Sequence, residues 1–114
     1  MTNSMQIRRI VMFTNQMEAM TAFYRDVIGL ELKVDEKGWK DFAAGGINLA
    51  LHNGTSAVGR RAPKLVFHSD DVAATRDMLM KRGAKMGKVK SGAGLDLCEG
   101  VDPDGNPFQI SNRA

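Results

Sequence analysis

The sequence predicts an α+β domain made of two similar halves, and three observations carry that prediction. Residues 10–32, IVMFTNQMEAMTAFYRDVIGLEL, and residues 65–86, LVFHSDDVAATRDMLMKRGAKM, each read as an apolar strand, a polar cap, an amphipathic helix and a glycine just past its end, Gly29 or Gly83. The closing stretches also correspond, GGINLALH in the first half and GNPFQIS in the second. At 114 residues and 43% hydrophobic content the chain can bury one real core, whereas each half alone would be marginal. The halves must therefore pack together or against another chain, and a duplicated chain is expected to place its function between them.

The first strand is predicted over residues 6–14, where alternation puts Ile10 and Met12 on one face and Arg9, Val11 and Phe13 on the other. Asn15 is placed to cap the following helix, with Glu18 near the capping-box position, and Met20, Phe23 and Val27 form one apolar stripe that needs a sheet to cover. After Gly29, strands are predicted at residues 30–34, 40–43 and 47–52, joined by turns at 36–38 and 44–46. Residues 53–63 are rich in small residues without hydrophobic period and read as a linker. The pattern then restarts with a strand at 64–68 and a helix begun by Asp70 or Asp71, with Val72, Thr75 and Leu79 on one face and Gly83 as its stop. Three strands follow at about residues 85–89, 96–101 and 107–112, with residues 90–94 as a glycine-rich hairpin loop or mobile flap. One domain over 1–114 results: a first module at about 6–52, the linker at 53–63, and a second module at about 64–112.

Charge and cysteine content narrow the functional classes. The net charge of +3, from 16 basic and 13 acidic residues, is spread in short clusters such as Arg8–Arg9 and Lys81–Arg82, which reads as a solvated surface. Nucleic-acid binding is not expected, because basic stripes interleaved with exposed aromatics are missing. A single cysteine, Cys98, excludes an internal disulfide and fits a reducing compartment. The start MTNSMQIRR lacks an apolar signal stretch and no segment reaches membrane-spanning length, so a cytoplasmic protein without a membrane partner is expected.

AFYRDVIGLEL after a first strand, DDVAATRDMLMKRGAKM after the linker and DPDGNPFQIS at the end, in that order, resemble the vicinal oxygen chelate superfamily. That superfamily includes glyoxalases, extradiol dioxygenases, thiol-transferring fosfomycin-resistance enzymes and bleomycin-binding proteins. The resemblance spans nearly the whole chain. It implies a glyoxalase-like fold in which paired βαβββ modules form curled mixed sheets around a cavity, commonly in a homodimer. Metal-dependent members carry one ligand on the first and last strands of each module; carried over, these places fall on Arg9, Asn48, Lys64 and Gln109, with Arg9 matching Lys64 and Asn48 matching Gln109 between the halves.

Two of those four are cations with no lone pair to offer a metal, and two neutral amide oxygens beside them would not hold a divalent ion. The sequence therefore predicts no metal and no cofactor. It predicts instead a cavity in which Arg9 and Lys64 lie among Val11, Phe13, Ala50 and Val66, with Asn48 and Gln109 orienting a ligand and Trp39 as a wall, a stacking surface or a dimer contact. Cations without a metal to meet need something negative, either an anionic ligand or a carboxylate of the chain such as Asp41, Asp96 or Glu99. His52 and His68 fall on the cavity side nearer its rim and, with Glu99, are the weak candidates for acid–base work. Asp102 and Asp104 in DPDGN read as turn formers, and the methionines read as core filling, with Met12, Met20, Met78 and Met80 keeping the interior adaptable.

The preferred reading is a small-molecule binding protein of bleomycin-resistance type, a homodimer holding an anionic or aromatic ligand in a metal-free cavity. The alternative is an enzyme, a lyase, isomerase or dioxygenase, with an unusual metal site or metal-free chemistry through His52, His68 or Glu99. A third reading, an interaction domain with a closed interior, expects stability to hold or rise when Arg9 and Lys64 become Met.

Overall fold

The computed structural model describes residues 6–54 and 63–113. Strand β1 (Arg9–Thr14) leads into helix α1 (Met17–Ala22), which runs on as a π-helical segment (Phe23–Ile28). Strands β2 (Glu31–Glu36), β3 (Trp39–Ala43) and β4 (Asn48–Asn53) then complete a sheet in the order β1-β4-β3-β2, with β1 parallel to β4 and the other pairs antiparallel. The second half repeats this plan with β5 (Leu65–His68), helix α2 (Val72–Lys81), β6 (Lys85–Met86), β7 (Lys90–Gly92), β8 (Leu95–Val101) and β9 (Pro107–Ser111). Its sheet has the order β5-β9-β8-β6, with β7 alongside β8 and β5 parallel to β9. The α+β class, with two mixed sheets and few helices, is the one the repeat predicted.

The helix ends follow from local chemistry. Asp71 caps α2, its Oδ1 accepting the Ala74 N–H at 3.0 Å. The π-helical segment stops at Gly29, whose φ of 91° suits glycine, and both Gly29 and Leu30 amides donate to the Tyr24 carbonyl. The expected Asn15 cap of α1 is not formed. Gln16 occupies the cap position without a side-chain bond, and its own N–H donates to Thr14 Oγ1 at 2.9 Å. Residues 90–94 are also corrected: 90–92 pair with β8 as a strand, and only Ala93 and Gly94 turn, with φ of 53° and 80°. The expected linker falls mostly on residues 55–62, outside the described residues, and β4 extends through Asn53.

Each sheet has one covered and one open face. In the first, Met12, Leu49, Leu51 and Phe42 are buried beneath α1 and its π-helical extension; in the second, Phe108, Ile110 and Cys98 are buried beneath α2. These covered faces join, with Met20, Phe23, Val72 and Leu79 from the helices, in a single cluster. Phe23 from the first half meets Phe108 from the second at 5.8 Å between ring centroids, and Tyr24 Oη donates to Asp102 Oδ2 at 2.7 Å. From the other side, Arg82 Nη1 donates to the Val27 carbonyl at 3.1 Å. Asp102 is thus more than the turn former expected, because it bonds the amides of Asp104 and Asn106 through Oδ1 while Oδ2 ties the halves together. Met78 and Met80, expected inside, are exposed on α2, whereas Met12 and Met20 are buried. Among the described residues no helix is long and apolar enough to cross a membrane.

Candidate functional site on the open sheet faces

Strand register fixes what stands on the open faces. On the first sheet, paired residues share a face, so three cross-strand rows follow: Phe13–His52–Trp39, Val11–Ala50–Asp41 and Arg9–Asn48–Ala43. Successive rows are two residues apart, about 6–7 Å. The first row is aromatic, with ring centroids of His52 lying 5.3 Å from Phe13 and 5.8 Å from Trp39. Phe13 and Val11 remain 46% and 38% exposed, which is high for large apolar side chains and marks the face as lacking a cover among the described residues. The third row carries the polar end. Arg9 Nε donates to Asp41 Oδ2 at 3.1 Å, and the Asp41 side chain is only 6% exposed. Asp41 Oδ1 is buried and makes no hydrogen bond.

On the second sheet the open face holds Val66, Gln109 and Glu99 side by side, then Leu97, Val101 and His68 on the same alternation. Val66 is 55% and Val101 41% exposed. Lys64, two residues before Val66, places Nζ 3.4 Å from Glu99 Oε2, and both side chains are half-exposed. His68 Nε2 lies 3.6 Å from Asp70 Oδ1, and His52 Nδ1 lies 2.8 Å from the Asn53 carbonyl. Cys98 points to the covered side, where burial pushes its thiol up from the ordinary value, so it shares no face with either histidine or with Glu99.

The named site residues thus fall into two groups. Arg9, Val11, Phe13, Trp39, Asn48, Ala50 and His52 share the first sheet; Lys64, Val66, His68, Glu99 and Gln109 share the second. Only Asn48, Lys64 and Val66 among them meet across the halves, lining a junction cavity of about 170 Å³ with Ile10, Leu65 and Phe67. A wider groove of about 580 Å³ lies elsewhere, between α1 and the β2–β3 hairpin, and contains none of them.

Register also corrects the match between halves. Thr14 Oγ1 accepts the Gln16 amide as Ser69 Oγ accepts the Asp71 amide, which aligns Arg9 with Lys64. Through the parallel pairs, Gln109 then corresponds to Ala50, and Asn48 to Pro107. Sequence comparison slipped by two residues here because a shift of two preserves strand alternation. Arg9, Asn48, Lys64 and Gln109 do not fit a divalent ion, since the two cations are each engaged with a carboxylate and the position matching Gln109 is an alanine without a donor atom. Among the described residues, no three of His, Cys, Asp and Glu are grouped to hold a metal. The residue that sequence reasoning undervalued is Asp41, named only as a possible partner of Arg9; its buried, half-satisfied carboxylate is visible only once β3 is paired.

A protein-family model, the Glyoxalase/Bleomycin resistance protein/Dioxygenase superfamily, matches residues 6–110. The chain belongs to that superfamily. No curated protein sequence matches this superfamily member. Among solved structures, it resembles TnmS3, an antibiotic binding protein from Streptomyces sp. CB03234, with a TM-score of 0.77 and 22% identity over 96% of this chain and 97% of that one. UcmS2 gives a TM-score of 0.82 at 16% identity, covering 97% of this chain and 100% of that one. Lactoylglutathione lyase from Agrobacterium tumefaciens gives 0.74 at 20% identity, covering 96% of this chain and 95% of that one. At these identities the likeness establishes the fold shared with an antibiotic binder and a lyase alike, and function must come from the site.

Proposed function

We propose that this superfamily member is a homodimeric small-molecule binding protein of bleomycin-resistance type, working in the cytoplasm and taking an aromatic or anionic ligand without a metal. One observation carries the reading: the first sheet presents an uncovered aromatic row, Phe13–His52–Trp39, two rows from a guanidinium that stands on a metal-ligand strand of the superfamily. The exposed rings supply a stacking surface. Nε of Arg9 is held by Asp41, so the two Nη groups remain for an acceptor on the ligand, and the buried carboxylate fixes their direction. A single domain of two modules, at about residues 6–52 and 64–112, organises these faces. The likeness to TnmS3, an antibiotic binding protein, supports the class of activity.

The enzyme reading lacks an assembled acid–base pair among the described residues. His52 and His68 stand on different sheets, and Glu99 is engaged by Lys64. The test is native mass spectrometry of the protein as purified, joined to fluorescence titration with anilinonaphthalene sulfonate, an aromatic anion. Retained small-molecule mass without a divalent ion, and probe binding weakened about tenfold by Trp39→Ala or Arg9→Met, are expected from the loss of one stacking or charge-assisted contact. A stoichiometric divalent ion would overturn the metal-free reading.

A further inference from the structure

The groove of about 580 Å³ between α1 and the β2–β3 hairpin shares no residue with the sheet-face site, and its size falls within the roughly 300–1,000 Å³ of small-molecule sites. One wall is a face of α1 and the start of its extension, where Met17, Glu18, Thr21, Ala22 and Arg25 recur at helical spacing. The winding turns π-helical immediately after Ala22, a change that frequently accompanies functional sites. The other wall is the hairpin, which is held in place from two sides. The Asn53 amide donates to the Gly38 carbonyl at 2.9 Å, and Lys40 Nζ donates to Asp35 Oδ1 and to the Glu36 carbonyl.

Two observations in this groove point to a ligand. Thr21 is 7% exposed, yet its Oγ1 has no hydrogen-bond partner among the described residues. Buried polar atoms are almost always satisfied, and this one lines a space from which a partner can come. The charges on the walls are the second observation. Arg25 is spent on Asp26, through Nε at 2.8 Å and Nη2 at 2.9 Å, and Lys40 is spent on Asp35. Glu18 on the helix and Lys37 on the hairpin turn remain, and among the described residues neither forms an ion pair. Opposite charges therefore line one groove without meeting across it.

We propose that this groove is a second binding site, taking a small zwitterion with an apolar body, the chemistry of a free amino acid or a dipeptide. The Glu18 carboxylate accepts from the ligand's ammonium, Lys37 Nζ donates to its carboxylate, and the Thr21 hydroxyl donates to a ligand oxygen. Met17 and Ala22 supply apolar surface for the body of the ligand. A simple anion fits less well, because Glu18 repels it and the other two cations already hold carboxylates; a simple cation leaves Lys37 unmatched. The site stands apart from the binding reading above, which concerns the open sheet faces, so either can fail without the other.

Isothermal titration calorimetry of the full chain with leucine and with leucyl-leucine tests it. At least one is expected to bind in the millimolar range or tighter. Acetylating the amine or amidating the carboxylate of that ligand should each weaken binding about tenfold, through loss of one charge-assisted contact. Glu18→Gln and Lys37→Gln should each do the same while circular dichroism shows the fold intact, since both side chains are exposed. Thr21→Val removes the hydroxyl at nearly constant volume, so the unfolding midpoint should hold or rise while affinity falls about fivefold. A dipeptide that binds more tightly than leucine assigns the site to peptides, and one that does not assigns it to free amino acids. No binding of either zwitterion, a blocked form that binds equally well, or any of the three variants binding as the wild type does overturns the proposal.

Discussion

Single residues set the strongest constraints at two polar contacts, one buried and one part-buried. The closed-interior reading expected stability to hold or rise when Arg9 and Lys64 become Met, but Asp41, the partner of Arg9, is buried and already has one unpaired oxygen. Arg9→Met leaves that carboxylate without a counter-charge and is expected to cost about 1–3 kcal/mol, a figure kept low because Arg9 itself is 37% exposed. The double change Arg9→Met with Asp41→Leu should recover most of the loss, as measured by urea denaturation; no recovery would mean that the pair does not couple. The other contact is Tyr24 with Asp102. Burial, then the Asp102 charge and hydrogen bond, push the Tyr24 hydroxyl well above its ordinary 10.0, so the folded chain keeps this proton where the unfolded chain releases it. The stabilisation is therefore complete below pH 10 and falls above it by about 1.4 kcal/mol per pH unit for this group. Tyr24→Phe should remove that alkaline slope and cost about 1–3 kcal/mol at neutral pH by leaving Asp102 Oδ2 one donor short. An unchanged alkaline limb in the variant would remove Tyr24 from the explanation.

At the level of elements, strand β8 is held by contacts that allow no side chain at one position. A Cβ on Gly100 would lie 2.6 Å from Met86 Sδ, 2.8 Å from Phe108 Cζ and 2.9 Å from the Lys85 carbonyl. Gly100→Ala is expected to destabilise by about 1–3 kcal/mol, since backbone and core ring would both have to shift. Thermal unfolding would show this as a lowered midpoint, and an unchanged midpoint would mean that β6 yields freely. Next to it, Cys98 is 1% exposed with its thiol pushed up by burial, so the native protein should react with maleimide only as fast as it opens. Rapid labelling under native conditions would contradict the packing of β8 against α2.

At the scale of the whole molecule, one core lies under two sheets, and each sheet keeps exposed apolar side chains on its other face, Val11 and Phe13 on the first and Val66 and Val101 on the second. If a second copy covers those faces, the unfolding midpoint should rise with protein concentration by mass action, and a midpoint constant across a hundredfold range would oppose it.

The sequence by itself determined the repeat, the order of strand, helix and strands, the side of β1 that is buried and the helix stop at Gly29, because these depend on local periodicity and on backbone freedom at one residue. The resemblance, carried over onto the sequence, implied cations, Arg9 and Lys64, at two of the places where metal-dependent members of the superfamily carry ligands. Only the tertiary structure decided that Thr14 in place of Asn15 meets the amide before α1, that residues 90–92 form a strand, and that Gln109 matches Ala50. Each of these depends on which strand lies beside which. The separation of Arg9 and Lys64 onto two faces turned away from one core was equally out of reach of the sequence, since alternation assigns a side of a sheet but says nothing about where that side points.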